Sequence, residues 1–175
     1  MGTYFKLTTN TKVNAFGVTL FQIQLTADCK WGKSGDLGGW VEKEENIKDG
    51  WVSGDAQVCG DAQVSGNARV FGNARVCGNA QVSGDARVSG DARVFGDAQV
   101  SGDAQVSGSF EKSPLQIQGT LHFVNVCSDF ELQIGSERFS FKYWKENFGR
   151  IAEENNYRTE QIKEYGLYID LAISL

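Results

Sequence analysis

The sequence has one proline, one histidine and no long apolar run, and these scarcities exclude several classes of protein. No stretch approaches the roughly 18 apolar residues that a membrane span needs, so we expect no membrane partner. The N-terminus MGTYFKLTTN lacks the apolar region of a secretion signal, and the four cysteines show no CxxC spacing. We therefore expect a cytoplasmic protein with reduced thiols.

Basic residues are also few. The chain has 17 Lys and Arg against 22 Asp and Glu, which gives a formal net charge of -5. Because proteins bind the phosphate backbone of DNA and RNA mainly through cationic side chains, this balance argues against a general binder of long nucleic acids. A small anionic ligand that is held by a few well-placed arginines remains compatible with it.

The centre of the chain is a six-residue repeat. Valine recurs at positions 52, 58, 64, 70, 76, 82, 88, 94, 100 and 106. Each hexad begins with Val, which is followed by Ser, Cys or Phe. The third residue is Gly, the fourth is Asp or Asn, the fifth is Ala, and the sixth is Gln or Arg. A period of six does not fit a helix of 3.6 residues per turn, whereas a short strand followed by a Gly-Asp or Gly-Asn corner does. The repeat therefore predicts stacked short strands that are joined by corners.

This pattern resembles the hexapeptide repeat of left-handed parallel β-helix proteins. The resemblance implies that Val and Ala point inward, that three hexads make one triangular coil, and that the coil is left-handed. Nine hexads would then give three coils, each rising about 4.8 Å, the ordinary spacing of strands. Proteins of this group commonly assemble as trimers, so the resemblance also implies a homotrimer.

The flanking segments predict caps for the prism. Tyr4–Thr8 and Val18–Leu25 alternate apolar and polar residues, as the strands of a hairpin do. A glycine- and tryptophan-rich segment, Trp31–Glu42, then predicts an irregular first coil with tight turns around packed tryptophans. Its GKSGDLGG run matches neither the P-loop nor the dinucleotide fingerprint. We expect an N-terminal β cap over residues 1–50, the β-helix over 51–108, and exit strands with a helical hairpin over 109–175.

The C-terminal segment predicts two helices after strands at 115–126 and 130–134, which are candidates for an exit coil. Ser140 is placed to cap the first helix, and Thr159 the second. In the first helix, apolar residues keep three- and four-residue spacing at Phe141, Trp144, Phe148 and Ile151. In the second, they form one stripe at Ile162, Tyr165, Ile169 and Ile173. The predicted fold class is therefore mainly β, a parallel β-helix with an N-terminal hairpin and two C-terminal helices.

A coil of 18 residues also predicts which outward side chains stack. Phe71 lies on one face and Phe95 on the next, where it follows Cys59 and Cys77. Arg75 and Arg93 lie between these faces, and Arg69, Arg87 and Gln105 lie at another corner. The edge formed by Arg75, Arg93, Phe71 and Phe95 is the predicted contact surface, because contiguous apolar residues rimmed by polar groups are typical of interfaces. Either a subunit interface or a ligand cleft fits this edge.

The sequence gives little support to catalysis or metal binding. Cys59 and Cys77 lie within disulfide range, but stacked side chains point in parallel, so we expect two packed thiols. His122, the candidate base of an acyltransferase, lies outside the repeat with no carboxylate close in sequence to orient it. We find no pattern for a metal or a cofactor. The prediction is a protein that binds and does not catalyse.

The segment Gly35–Val41, with Asn46-Ile47 and the GDA and GNA hexads, resembles a group of bacteriophage and prophage hexapeptide proteins. This resemblance implies an anti-defence role in the host cytoplasm, in which a rigid oligomer sequesters a cyclic nucleotide that signals host immunity. Arg75 and Arg93 would pair with phosphates, and Phe71 or Phe95 would stack on a base. The alternatives are a structural or virion-associated scaffold without a ligand, and a hexapeptide acyltransferase.

Overall fold

A computed structural model describes residues 4–110 and 114–175. The chain divides into two compact units, Met1–Ser113 and Pro114–Leu175. The first unit contains the N-terminal strands together with the whole repeat. The second contains the C-terminal strands and helices.

The repeat forms a β-solenoid. Two-residue strands, each ending on a repeat valine, recur every six residues: β4 (Trp51–Val52), β5 (Gln57–Val58), β6 (Gln63–Val64), β7 (Arg69–Val70), β8 (Arg75–Val76), β9 (Gln81–Val82), β10 (Arg87–Val88), β11 (Arg93–Val94), β12 (Gln99–Val100) and β13 (Gln105–Val106). A further strand, β14, spans Ser109–Phe110. From β4 to β10, each strand pairs in parallel with the strand 18 residues further on, so that Val58 lies beside Val76. The predicted coil of three hexads is confirmed.

Three parallel sheets make the walls of the solenoid. Sheet D has the order β13-β10-β7-β4, sheet C has β12-β9-β6, and sheet A continues through β5-β8-β11-β14. All repeat valines and alanines from Val52 to Val106 are fully buried, which confirms that these two positions point inward. The repeat glycines take φ between +62° and +77° at the corners, a conformation that costs glycine little.

The segment before the repeat adds a further coil. Strand β3 (Leu37–Val41) pairs in parallel with β5, and Ile47 forms a parallel bridge to Val64. A 3-10 turn at Glu44–Asn46 connects them. A side chain at Gly39 would place its Cβ 2.7 Å from Val52 Cγ1, so glycine takes the inward position that alanine holds in the repeat. The predicted irregular first coil is confirmed.

The N-terminal strands form the predicted hairpin. Strand β1 (Phe5–Val13) pairs antiparallel with β2 (Thr19–Leu25), and β2 pairs antiparallel with β3. The hairpin thereby extends sheet A beyond the first coil. Its tip also contacts the outer surface of this sheet, because Phe16 lies edge-on to Phe95, with 6.1 Å between the ring centroids.

The corner residues show why the repeat alternates between aspartate and asparagine. One complete coil has asparagine at its three corners, and each asparagine amide donates to the aspartate 18 residues further on: Asn67 to Asp85 at 2.9 Å, Asn73 to Asp91 at 3.0 Å and Asn79 to Asp97 at 2.9 Å. With aspartate at every corner, like charges would stack at the spacing of strands. The asparagine coil therefore separates two layers of carboxylates and bonds to one of them.

This arrangement predicts that Asn73→Asp destabilises the solenoid by about 0.5–1 kcal/mol, because it exchanges a hydrogen bond for a repulsion at an exposed site. Urea unfolding at low salt measures the change. Salt screens exposed charges, so the loss should shrink at about 1 M salt. Asp103 follows Asp85 by 18 residues, so two carboxylates stack at this corner. Asp103→Asn is the opposite control, because it removes that repulsion and should stabilise the solenoid. Equal stability of Asn73→Asp and the wild type at low salt would contradict the argument.

Cys59 and Cys77 form a disulfide, with Cα atoms 4.7 Å apart, so the prediction of two unbonded thiols is wrong. Parallel Cα–Cβ bonds do not prevent the bond, because side chains can rotate about χ1 and so bring two stacked sulfurs together. The bonded pair packs with Leu20 in a cluster that Val18, Trp40 and Phe95 extend. The other cysteines, Cys29 and Cys127, are free.

The disulfide closes an 18-residue step between two coils, and its loss should destabilise the solenoid. We expect Cys59→Ser/Cys77→Ser to lower the free energy of unfolding by about 2 kcal/mol, since an open loop of this size has more conformational entropy when unfolded. Thermal unfolding with and without reductant measures the effect. Cys29→Ser is the control, because this exposed cysteine is unbonded. A melting temperature that does not respond to reductant would contradict the expected contribution.

The C-terminal unit is an antiparallel sheet packed against two helices. The sheet has the order β15-β16-β17-β18, formed by β15 (Gln116–Gln118), β16 (Phe123–Ser128), β17 (Glu131–Ile134) and β18 (Glu137–Ser140). Antiparallel pairing excludes an exit coil, which needs parallel stacking on the repeat, so that interpretation is wrong. Val124, Leu132 and Ile134 from the sheet pack against Trp144 and Tyr165 from the helices.

Both predicted helices are present, as α1 (Phe141–Glu154) and α2 (Thr159–Ser174). The Ser140 hydroxyl accepts a bond from the Tyr143 N–H at 3.2 Å, as predicted for a cap. For α2 the capping residue is Arg158, whose backbone N–H donates to Gln161 Oε1. The predicted cap, Thr159, is instead the first residue of the helix. Ile173 is 44% exposed, because Ala172 takes the inward position at the end of the helix.

Candidate functional site

A cleft lies on the outer face of sheet D, with a volume of about 560 Å³. We call it the Trp31 groove and define it by the residues that line it: Lys30, Trp31, Asp36, Leu37, Trp51, Ser53, Arg69 and Phe71. Volumes of 300–1,000 Å³ are typical of sites for small molecules. The groove therefore has the size of a ligand site.

The floor of the groove follows from the register of sheet D. Trp51, Arg69 and Arg87 are register partners on successive strands, and each precedes an inward valine. Since side chains alternate along a strand, these residues point outward in one column. Phe71 follows inward Val70 and points outward in the next column. A flat wall of aromatic and cationic side chains results.

The wall opposite the sheet comes from the turn that contains Trp31. Cys29 and Gly32 pair in a β-bridge, and the Lys33 N–H donates to Asp36 Oδ2 at 2.8 Å. A Cβ at Gly32 would lie 2.5 Å from the same oxygen, so a side chain at this position would displace the carboxylate. The predicted tight turns are confirmed, and they hold Trp31 and Asp36 at the groove.

Tyr4 anchors the base of the groove. Its hydroxyl donates to the Gly50 carbonyl, and its ring lies 6.3 Å from the ring of Trp51. Burial raises the pKa of the Tyr4 phenol above its ordinary value, with a further contribution from Asp49. The phenol is protonated at neutral pH, as an ordinary tyrosine is, and its hydrogen bond ties the residue before β1 to the segment that carries Trp51.

Cations converge on the Trp31 indole. Lys30 Nζ lies 4.5 Å from the ring centroid, and Arg69 Cζ lies 5.3 Å from it. A smaller recess of about 190 Å³ shares these three residues and is also lined by Asn67, Asp85 and Arg87. In this recess, Lys30 donates to Asn67 Oδ1. Lys30, Arg69 and Arg87 thus give the site three positive charges, beside the carboxylates of Asp36 in the groove and Asp85 in the recess.

The four predicted ligand residues lie on sheet A and at the neighbouring end of sheet D. Arg75 and Arg93 are register partners on sheet A. Phe71 belongs to sheet D and lines the Trp31 groove. Phe95 is partly buried against Leu20 and the disulfide, so the expectation that it is exposed is wrong. The hairpin tip covers it, which the spacing of the repeat does not reveal.

Arg75 has a cationic neighbour in Lys12 of the hairpin. Lys12 Nζ lies 4.3 Å from the centroid of the Trp40 ring and 3.7 Å from Asp55 Oδ1. Burial lowers the pKa of Lys12, and the charge of Arg75 lowers it further, while Asp55 opposes both effects. The outer surface of sheet A is therefore occupied in part by the chain's own hairpin.

The residues that sequence reasoning missed are Lys30, Trp31 and Arg69. The Arg69 and Arg87 column was visible in the 18-residue period, but nothing in that period shows that Trp31 lies above it. The tryptophan of the glycine-rich turn was the one sign of this groove in the sequence, but it was interpreted only as a packed core residue. Trp51, by contrast, is buried and does pack.

His122 lies in the C-terminal unit, where its ring centroid is 5.8 Å from that of Tyr157. Its backbone N–H donates to the Tyr165 hydroxyl. Among residues 4–110 and 114–175, no cluster of three or more His, Cys, Asp or Glu side chains is placed to hold a metal ion. In the same residues, no helix is both long enough and apolar enough to cross a membrane.

These coils define the protein as a β-solenoid repeat protein. The chain matches the family described as YdcK Beta solenoid repeat over residues 62–78, 80–96 and 86–100. The matched residues lie within the hexapeptide coils, so the similarity concerns the repeat. A comparison with curated proteins found no match to the chain.

Proposed function

We propose that the protein binds without catalysis, and that the Trp31 groove holds a small anionic ligand with an aromatic ring, such as a cyclic nucleotide. The observation that carries the proposal is the convergence of Lys30 and Arg69 on Trp31, 4.5 and 5.3 Å from its ring. Phe71 lines the same groove, and Arg87 lines the adjoining recess.

The chemistry of these side chains matches a nucleotide. Arginine pairs with phosphate through two parallel N–H bonds, and lysine adds a point charge. Aromatic faces stack on any base, with a contribution of about 1–3 kcal/mol per base. A ligand with a ring and a phosphate therefore uses both kinds of side chain, whereas an inorganic anion uses only the cations.

The make-up of the groove favours binding over catalysis. Its described lining contains neither histidine nor cysteine, which are common bases and nucleophiles. Its carboxylate, Asp36, accepts from the backbone of Lys33 and has a structural task. The histidine that an acyltransferase would use belongs to the other unit.

The proposed assembly is a homotrimer, on the strength of the resemblance to trimeric hexapeptide proteins. Three grooves per trimer would give a sequestering protein three ligand sites. In the proposed biological role, a phage-encoded trimer removes a cyclic nucleotide that signals host immunity. The Arg75 and Arg93 edge is the alternative site. Arg75 and Phe71 flank one corner of the solenoid, and such a convex corner needs a partner subunit to enclose a ligand.

Native mass spectrometry tests ligand and assembly together. The protein is measured alone and then with cyclic dinucleotides, cyclic trinucleotides and coenzyme A. A trimer that retains one to three nucleotides supports sequestration. A trimer that retains nothing supports the scaffold without a ligand, and retention of coenzyme A alone supports the acyltransferase.

A further inference from the structure

One carboxylate lies in the Trp31 groove among aromatic and cationic side chains. Asp36 lines the groove beside Trp31 and Phe71. It is held in place because its Oδ2 accepts the Lys33 N–H at 2.8 Å, and because the Asp36 N–H donates to the Lys33 carbonyl at 3.0 Å. An ionised carboxylate accepts up to about four hydrogen bonds, so this bond leaves it further acceptor capacity.

A negative charge is unfavourable for an anionic ligand unless that ligand brings donors to it. We propose that Asp36 reads the edge of a base, and that the Trp31 groove selects guanine over adenine. This inference rests on the proposed function, since it takes a nucleotide in the groove as given. It adds the identity of the base and the residue that selects it.

The two purines differ in the edge that they present to a carboxylate. Guanine has adjacent N1–H and N2–H donors, which match the two acceptor oxygens of a carboxylate. Adenine presents one donor, N6–H, beside the acceptor N1, which repels the second oxygen. Asp36 is exposed in the free protein, and a base that stacks in the groove would shield its carboxylate from water. A site shielded in this way discriminates against an analogue that leaves its polar groups unpaired. Asp36 therefore favours guanine.

The cations fit the other end of the same ligand. Lys30 and Arg69 lie over the Trp31 ring, which leaves Phe71 as the ring on which a base would stack. With the edge of that base at Asp36, the phosphate would bind Arg69 and Lys30. The adjoining recess adds Arg87. Arg69 lines both the groove and the recess, so it is placed to bind a phosphate between them. Ser53 is a further polar group in the lining of the groove.

The test compares cyclic di-GMP with cyclic di-AMP, which differ only in the base, by isothermal titration. We expect the wild type to bind the guanine compound at least tenfold more tightly. In Asp36→Asn, the amide oxygen can still accept from Lys33, but an amide donor replaces the second acceptor. Since asparagine pairs well with adenine, this variant should lose the guanine preference and gain affinity for cyclic di-AMP.

Asp129→Asn is the matched control, because it makes the same change of charge at an exposed site in the other unit. It should keep the wild-type preference. Equal affinity of the wild type for both compounds would overturn the guanine assignment and leave nucleotide binding intact. Binding of neither compound, together with no retained nucleotide in the mass spectrometry panel, would overturn the proposed function itself.

Discussion

Alanine at position 78 is expected to destabilise the solenoid by about 2–5 kcal/mol. Gly78 has φ of +77°, and a Cβ there would lie 3.1 Å from both the N and the O atoms of Gly96 in the next coil. The left-handed conformation alone costs about 1–2 kcal/mol for a residue with a side chain. Pushing two coils apart adds about 1–3 kcal/mol, as overpacking does in other cores. Chemical unfolding measures the loss.

Alanine at position 90 is the matched control. Gly90 also occupies a repeat corner, with φ of +62°, but no atom lies within 4 Å of a Cβ placed there. Gly90→Ala should therefore show the conformational cost alone, about 1–2 kcal/mol. The difference between the two variants isolates the contact between coils. Equal losses would mean that the stacked glycines are not in steric contact.

The period of the repeat was enough to predict the architecture of the solenoid. A valine every six residues fixes which side chains point inward, and the 18-residue coil fixes which residues stack. Strand pairing such as Val58 with Val76 follows from that count. The hairpin was equally accessible, because alternating residues in two segments separated by a short loop indicate paired strands.

The errors arose where segments outside the repeat meet it or fold apart from it. Phe95 has the repeat position of an exposed residue, yet the hairpin tip contacts it. The strands after residue 114 lack the hexad, and their antiparallel pairing was not visible in an alternating pattern. Cys59 and Cys77 were placed at the right separation, but the side-chain rotation that joins them was not considered.

The position of the Trp31 groove could be predicted from the sequence even less than these contacts. Trp31 and Arg69 are 38 positions apart in the sequence, and no periodicity relates them. They meet because the segment around Trp31 folds over sheet D before the chain enters the coils. Sequence analysis predicted a site made of stacked arginines and exposed aromatic residues. It assigned them to the edge at Arg75, because the repeat gives no information on what covers each sheet.

Replacing Arg69 and Arg87 with alanine is expected to weaken nucleotide binding by about 100-fold or more. Each substitution removes a charged hydrogen bond to phosphate, which contributes about 1.5–3 kcal/mol to the free energy of binding. A loss of about 1.4 kcal/mol lowers the affinity tenfold. Arg69→Ala also removes the guanidinium group whose Cζ lies 5.3 Å from the centroid of the Trp31 ring. Isothermal titration with the nucleotide that the wild type retains measures the loss.

The matched control is Arg75→Ala/Arg93→Ala, which removes the same two charges from register partners on sheet A. If the Trp31 groove is the site, this control keeps the affinity within a few-fold of the wild type. If the edge is the site, the two double variants exchange behaviour. Because both lower the positive charge equally, a general electrostatic attraction would weaken them alike. The comparison therefore separates the groove, the edge and non-specific attraction, and native mass spectrometry of each variant shows whether assembly is preserved.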